Sequence, residues 1–396
     1  MDIPLNVILY TKGSGGDVFP FIRCGQELRN RGHQVTLMTH CVYEARAKSR
    51  SLNFAALDSP QEYDRFLGDQ ELLNTPRGIP EFLRRHSLSR ALGEYQLVAQ
   101  QCESTKSIIV TRDLIDLVPR LVAEKLRLPL RWVFGFPSQV ATWSLREQLF
   151  SRLLRSEINE IRLTLGLQAA SIENCDFGYP TMGVALWPEW FAESNASSAI
   201  RVVPVGFLRE DDATEDDFPP EIKGLLNSGK PAVLITAGTG TYIGSEFYEV
   251  AAKACELVNF AAIAVMQHST QRPNDCHHCV SWIGILPFRK LMQHIRAVIH
   301  HGGLGTLACA MEAGVPQLVL PKGADRPDNA ARLQKLGVAE SLPPPKWRPE
   351  LIAEALMRLV SSPVVAENCR TIADRLRDKD GAEAACEIIE EDVVAV

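Results

Sequence analysis

The sequence predicts an α/β protein made of two successive halves, each a parallel sheet with helices on its faces. Two observations carry that expectation. In each half, an apolar run with β propensity leads into a glycine loop and then a helix-spaced segment. These are residues 7–10 with Gly13-Ser14-Gly15-Gly16-Asp17, and residues 232–236 with Gly238-Thr239-Gly240. Between the halves, residues 210–217 hold six acids and no base and run into Pro219-Pro220, the composition of a solvated linker.

Taken in order, residues 7–10 form a strand, 19–30 a helix closed by Arg31-Gly32-His33, and 35–38 the next strand. That is a βαβ unit. Residues 107–110 and 130–134 read as later strands of the same sheet, with a helix over 114–126. In the second half, 232–236 and 261–266 are strands around a helix at 247–257. A further unit follows: a strand at 297–299, a loop at 300–305, a helix to Ala313 and a strand at 317–320. The tail from Glu350 reads as helices with a turn at 361–363. The expected boundaries are a first domain over 1–208, an acidic linker over 209–230, a second domain over 231–372, and a closing segment over 373–396.

Composition removes several functions. Apolar residues are 46% and charged residues 23%, values of a globular rather than a disordered chain. Lys and Arg number 42 against 48 Asp and Glu, a net charge of -6 that offers no general nucleic-acid footprint. No apolar run approaches the ~18 residues of a membrane span. The first residues, MDIPLNVILYTKG, lack the basic and apolar regions of a signal peptide, and the ten cysteines have no framework spacing. A cytoplasmic location is therefore expected. Arg84, Arg85, His86 and Arg90 beside Phe82 and Leu88 could touch an anionic surface, but such a run is more often a solvated helix face.

The richest stretch is AVIHHGGLGTLACAMEAGVPQLVLP, residues 297–321. Its glycines let backbone N–H groups approach a ligand, and the helix behind them points its N-terminus at the same place. Both favour phosphate. His300, His301 and Thr306 add polar groups. A ligand-free tight turn is the plain alternative. Gly303, Gly305 and Ala308 also fit GxGxxA, with Asp325 twenty residues past Gly305, which keeps an NAD-dependent oxidoreductase open. GLLNSGK at 224–230 has Walker spacing but precedes a strand, so it is rejected. Asp17 could act as a general base, although an acid in a helix's first turn is favoured anyway. Cys276-His277-His278-Cys279 lacks a second pair of zinc ligands, and no metal site is expected. Asp378-Lys379-Asp380 reads as a solvated face.

Two stretches together resemble the GT-B-fold glycosyltransferases of the UDP-glycosyltransferase superfamily, nearest to the bacterial antibiotic and sterol glucosyltransferase branch. One is KGSGGDVFPFIRCGQELRNRGHQVTLMTH, residues 12–40, with SLNFAALD at 51–58. The other is residues 286–339, which open with LPFRKLMQHIRAVIHHGGLGT. The resemblance covers nearly the whole chain.

It implies two Rossmann-like domains facing an interdomain cleft, with C-terminal helices crossing back to the first. It implies an inverting, metal-independent hexosyltransferase that needs no cofactor. The donor would be a UDP-sugar, or a TDP-sugar, and the acceptor a small apolar molecule with a hydroxyl, such as a natural product, sterol or lipid. By the same resemblance Asp17 is the general base, or part of the acceptor site. Asp113 stands where plant members keep a supporting acid; two carboxylates in one cleft would each raise the other's pKa. Leu286 and Phe288 flank the nucleobase through backbone contacts. His300, Gly302, Gly303, Gly305 and Thr306 hold the diphosphate, with Gly16 and Thr239 facing it from other loops. Asp325 and Arg326 take the place of an Asp-Gln pair that reads sugar hydroxyls. Arg326 in place of Gln leaves the sugar open: a guanidinium could pair with a uronic acid, or simply bond backbone. Phe82, Phe136, Ser138 and Trp143 are candidate acceptor residues, with plain packing as the alternative. Gly15 replaces an Arg common in relatives. A non-catalytic relative that binds a protein partner is a further alternative. The chain is expected to be a monomer or homodimer.

Overall fold

The computed structural model describes residues 4–391 apart from 76, 103–105, 113–115, 171–181, 195–199, 210–217, 242, 274–278 and 285. Asp113, the acidic run and the first three residues of the Cys276–Cys279 cluster lie outside the described residues. The chain divides into two compact units, one of residues 1–209 with 380–396 and one of residues 210–379.

The first unit holds a seven-stranded sheet in the order β3-β2-β1-β4-β5-β6-β7. The strands are β1 Asn6–Tyr10, β2 Gln34–Thr39, β3 Asn53–Ala56, β4 Ser107–Thr111, β5 Leu130–Phe134, β6 Met182–Ala185 and β7 Arg201–Pro204. Every neighbouring pair is parallel. The strands nearest the middle are buried on both faces, which is why they read as unbroken apolar runs. The chain comes back to this unit at its end. Helix Gly381–Glu390 lies on helix Gly15–Asn30, and Gly381 packs so close to the Gly206 carbonyl that a Cβ would sit 2.7 Å away. Asp380 caps the returning helix by accepting from the Ala382 N–H at 3.0 Å, and it pairs with Arg23 at 2.7 Å. It is an N-cap, not part of the solvated face expected for Asp378–Asp380.

The second unit holds a six-stranded parallel sheet in the order β10-β9-β8-β11-β12-β13. Its strands are β8 Ala232–Thr236, β9 Ala261–Met266, β10 Cys279–Ile283, β11 Ala297–His300, β12 Gln317–Val319 and β13 Ala339–Ser341. Alternate residues of β8 serve opposite faces. Val233 and Ile235 join a core with Phe247, Tyr248, Trp347 and Leu356, while Leu234 joins one with Ile263, Leu291 and Val298. Residues 220–226, within the span expected to be linker, form a short helix whose Ile222 is buried in the second of these cores.

Both sheets reverse their strand order once, between β1 and β4 and between β8 and β11. In open α/β sheets, ligands bind beyond the carboxyl ends of the strands at such a reversal. The described residues there include 11–14, 112 and 116 in the first unit, and 237–241, 243–244 and 301–303 in the second.

Candidate functional site

At the reversal of the first sheet, Asp17 occupies the first turn of helix Gly15–Asn30. Its Oδ2 accepts from the Ser14 N–H at 2.9 Å and from the Ser14 hydroxyl at 3.3 Å, half of a capping box. Its Oδ1 pairs with Arg112, which follows β4 and also reaches the buried Asp116 at 3.4 Å. Gly13, at φ +144°, is obligatory: a Cβ there would run into the Asp17 carboxylate. The described charge beside Asp17 is a guanidinium; Asp113, the second carboxylate that the resemblance implies, lies outside the described residues. Gly16 is exposed at the start of the same helix.

Side chains from other elements fix this loop. Lys12 is buried, with Nζ 3.2 Å from Glu94 and 3.1 Å from the His86 carbonyl. Tyr10 donates to Glu94 at 2.5 Å, and Arg90 reaches the same carboxylate at 3.2 Å. The Arg84–Arg90 cations are paired rather than bare: Arg84 with Glu157, Arg85 with Asp69 and Glu81, His86 with Asp69, and Arg90 with Glu62 and Glu94.

The acceptor candidates divide. Phe82 is 4% exposed in an aromatic cluster with Tyr63 and Phe66, and Trp143 is 6% exposed with its ring 5.4 Å from that of Trp132. Both are packed among aromatic neighbours. Phe136 and Ser138 are half-buried just past the carboxyl end of β5. The Phe136 N–H and that of Gly135 donate to Gln139 Oε1 at 3.0 and 2.6 Å.

The reversal of the second sheet is built differently. Helix Leu304–Glu312 has Gly303 at its N-cap, no side-chain cap and no acid in its first turn. A helix start leaves its first N–H groups without intrahelical partners. Here Gly303, Gly305 and Thr306 supply no carboxylate to answer them. Gly302 sits at φ +98° with its Cα pressed on β12 and on Arg326; a Cβ would lie 3.2 Å from Val319 Cγ1 and from the Arg326 carbonyl. Asn329 donates to the Gly302 carbonyl at 2.9 Å and to Asp325 at 2.7 Å, so one amide ties the loop to the Asp325 carboxylate.

His300 is fully buried, and both of its ring nitrogens are engaged. Nδ1 accepts from the Gly302 N–H at 3.1 Å, and Nε2 meets Gln317 Oε1 at 3.0 Å. The ring therefore shapes the loop from beneath. The direct diphosphate contact that resemblance implies for it is not what this geometry offers. His301 lies instead between the two glycine loops: a Cβ on Gly238 or on Gly303 would come within 2.6 Å of its ring. Burial, with His301 adjacent, pushes His300 down to about 3, and burial takes His301 down to about 4. Both rings are neutral at pH 7.

Thr239 follows β8 in a turn that Tyr248 anchors, accepting from the Ala237 N–H at 3.0 Å and donating to the Val265 carbonyl at 3.1 Å. Leu286 is buried in the core and Phe288 packs against it, leaving only backbone for the contacts expected there. Arg326 is 7% exposed, with Nη1 on the Lys322 carbonyl at 2.6 Å, the backbone-bonded alternative.

Two family models match the chain, one in its first half and one over most of its second half. A model of the glycosyltransferase family 28 N-terminal domain matches residues 7–142. A model of the erythromycin biosynthesis protein CIII-like C-terminal domain matches residues 252–394. O-mycaminosyltylonolide 6-deoxyallosyltransferase of Streptomyces fradiae is 28% identical, over 98% of this chain and 97% of that protein. A sterol 3-beta-glucosyltransferase of Saccharomyces cerevisiae is 24% identical over 96% of this chain, which spans only 34% of that longer protein. The spinosyn rhamnosyltransferase SpnG, solved with thymidine diphosphate, superposes with a TM-score of 0.71 at 19% identity, covering 97% of this chain and 99% of that one. These comparisons lend the oxidoreductase reading no support. No described helix is long and apolar enough to cross a membrane.

Proposed function

We propose that this chain, which belongs to the GT-B-fold glycosyltransferases of the UDP-glycosyltransferase superfamily, moves a hexose from a nucleoside diphosphate sugar to a hydroxyl of a small apolar acceptor. The donor would be UDP- or TDP-linked, and the acceptor a natural product, sterol or lipid alcohol. The observation that carries this reading is the start of helix Leu304–Glu312. It lies at the reversal of its sheet, its N-cap is glycine, and no acid of its own occupies its first turn. Uncapped N–H groups and the positive end of the helix dipole suit a diphosphate.

Transfer would be a single in-line displacement with inversion. The acceptor oxygen forms a bond to the anomeric carbon as the bond from that carbon to the diphosphate oxygen breaks. The departing electron pair goes to the diphosphate, and the acceptor proton goes to the Asp17 carboxylate. The loop from Gly302 to Thr306 stabilises the charge that develops on the leaving group. His300 and Asn329 set the shape of that loop. No step calls for a metal or a further cofactor.

The test is incubation with UDP-glucose or TDP-glucose and a panel of macrolide aglycones and sterols. Mass spectrometry reads hexose addition, and the proton coupling at the anomeric centre reads its configuration. A β-linked product from an α-linked donor is expected. A retained α linkage would contradict the mechanism. NAD reduction with no glycosylated product would contradict the reading itself.

A further inference from the structure

We propose that His40, oriented by Asp58, is a positioning residue that sets the glycine loop and through it the aim of Asp17. The proposal rests on the reading of Asp17 as the acceptor base. His40 directly follows β2 and is 1% exposed, with its ring 4.9 Å from that of Tyr63 and 4.4 Å from that of Phe66. A buried imidazole must spend both nitrogens on partners. His40 Nε2 accepts from the Gly13 N–H at 2.9 Å, so the ring proton belongs to Nδ1, which donates to Asp58 Oδ2 at 2.5 Å. Asp58 Oδ1 in turn accepts from the Cys41 N–H at 2.8 Å. Three sequence-distant pieces, residues 13, 40 and 58, are thus joined in one chain of bonds.

The end of that chain is Asp17. Gly13 stands directly against the Asp17 carboxylate, and Ser14, its neighbour, donates to it at 2.9 Å. Any shift of the Gly13 amide changes the space and the donor that fix the rotamer of Asp17. Tyr43 holds the next peptide group, its hydroxyl donating to the Gly13 carbonyl at 3.4 Å. Burial lowers the His40 imidazole below its ordinary value. At Asp58, burial works against the charge, yet the His40 hydrogen bond and the Cys41 N–H outweigh it and hold the carboxyl below its usual range. The pair is therefore a neutral imidazole on a carboxylate, the form that can accept from Gly13.

Two substitutions separate the two ends of the ring. In His40→Gln, the amide oxygen can take the place of Nε2 and accept from Gly13. In His40→Asn, the shorter amide replaces only the Nδ1 side and leaves Gly13 without an acceptor. His86→Gln is the control; it alters the other His–Asp pair of the same aromatic cluster, 2.8 Å to Asp69, which bonds no atom of Gly13 or Ser14 through its side chain. Near-UV circular dichroism checks that each variant is folded. Amide exchange at Gly13 and release of UDP from UDP-glucose or TDP from TDP-glucose, with aglycone or water as acceptor, are then measured.

In His40→Asn, Gly13 exchange should rise at least tenfold. The kcat should fall on the order of 100-fold with donor KM unchanged, the loss typical of a group displaced by about 1 Å. His40→Gln should recover most of both, and His86→Gln should change neither. Equal losses in His40→Gln and His40→Asn, or no change in either, overturn the proposal. If the wild-type protein turns over no donor, the glycosyl-transfer reading falls, and Gly13 exchange alone decides whether His40 sets the loop.

Discussion

The two glycine loops occupy the same place in their sheets and are finished in opposite ways. The loop at Gly13–Asp17 supplies its own acid to the helix it opens: Asp17 takes the Ser14 N–H and pairs with Arg112. The loop at His300–Thr306 puts glycine at the N-cap and threonine where the first loop has aspartate, three positions in. The first helix start is already answered by a carboxylate and has little to offer an anion. The second is left unanswered, with neutral buried histidines below it. One βαβ plan thus yields a helix start that presents a carboxylate and a helix start left open, the one proposed above to take the diphosphate. The difference lies in a handful of capping residues.

The largest expected effect removes the presented carboxylate. Asp17→Asn should lower the transfer rate by roughly 100- to 10,000-fold, the range for a lost general base, with UDP and TDP affinity unchanged in a calorimetric titration. A variant within threefold of wild type would show that another group takes the proton. Next comes an exchange between the loops. Thr306→Asp gives the second helix the acid of the first and should weaken nucleoside diphosphate binding by about 10- to 100-fold, from the 1–3 kcal/mol that a charge at a helix start and an opposed anion are worth. Equal affinity would mean that this helix start does not face the ligand.

Smaller effects follow from the histidines. Their folded-state values lie below that of an unfolded histidine, so the unfolded chain binds the extra protons. Stability conferred by neutral His300 and His301 is complete above pH ~6.5 and is lost as pH falls toward about 4 for His301 and about 3 for His300. Urea melts at pH 7 and pH 5 should show the second unit losing on the order of a few kcal/mol on acidification. A His301→Asn variant should lose less, and an identical pH slope would contradict the assignment. Last, dialysis against EDTA should leave transfer unchanged under the proposed mechanism, in which helix N–H groups stabilise the leaving diphosphate; loss of rate restored by Mg2+ would require a different account.

The sheets were legible because strands buried on both faces read as continuous apolar runs. Residues 130–134, 232–236 and 261–266 match β5, β8 and β9 end to end. The first helix was harder: Pro20 and the glycines at 15 and 16 disfavour helix, and moved its expected start from Gly15 to Phe19. Tertiary packing overrode that preference.

Asp17, Gly302 and Gly303 were visible as motif positions. Their supports were not. Arg112, His40 and Asp58 lie just past the carboxyl ends of β4, β2 and β3, and only the sheet order brings them to Gly13 and Asp17. Asn329 carried a faint signal, an amide four residues past Asp325 on one helix face, and Gln317 another, a polar residue in an apolar strand. Phe82 and Trp143 show the converse, since an aromatic residue near a loop does not reveal by spacing whether it faces a pocket or the core.

The most direct test of the central claim is calorimetric titration of the wild-type protein and of Thr306→Asp with UDP, TDP and NAD. The account predicts micromolar binding of UDP or TDP to the wild type, at least tenfold weaker binding to Thr306→Asp, and no NAD binding to either. NAD binding without UDP or TDP, or equal nucleotide affinity in both proteins, would contradict it.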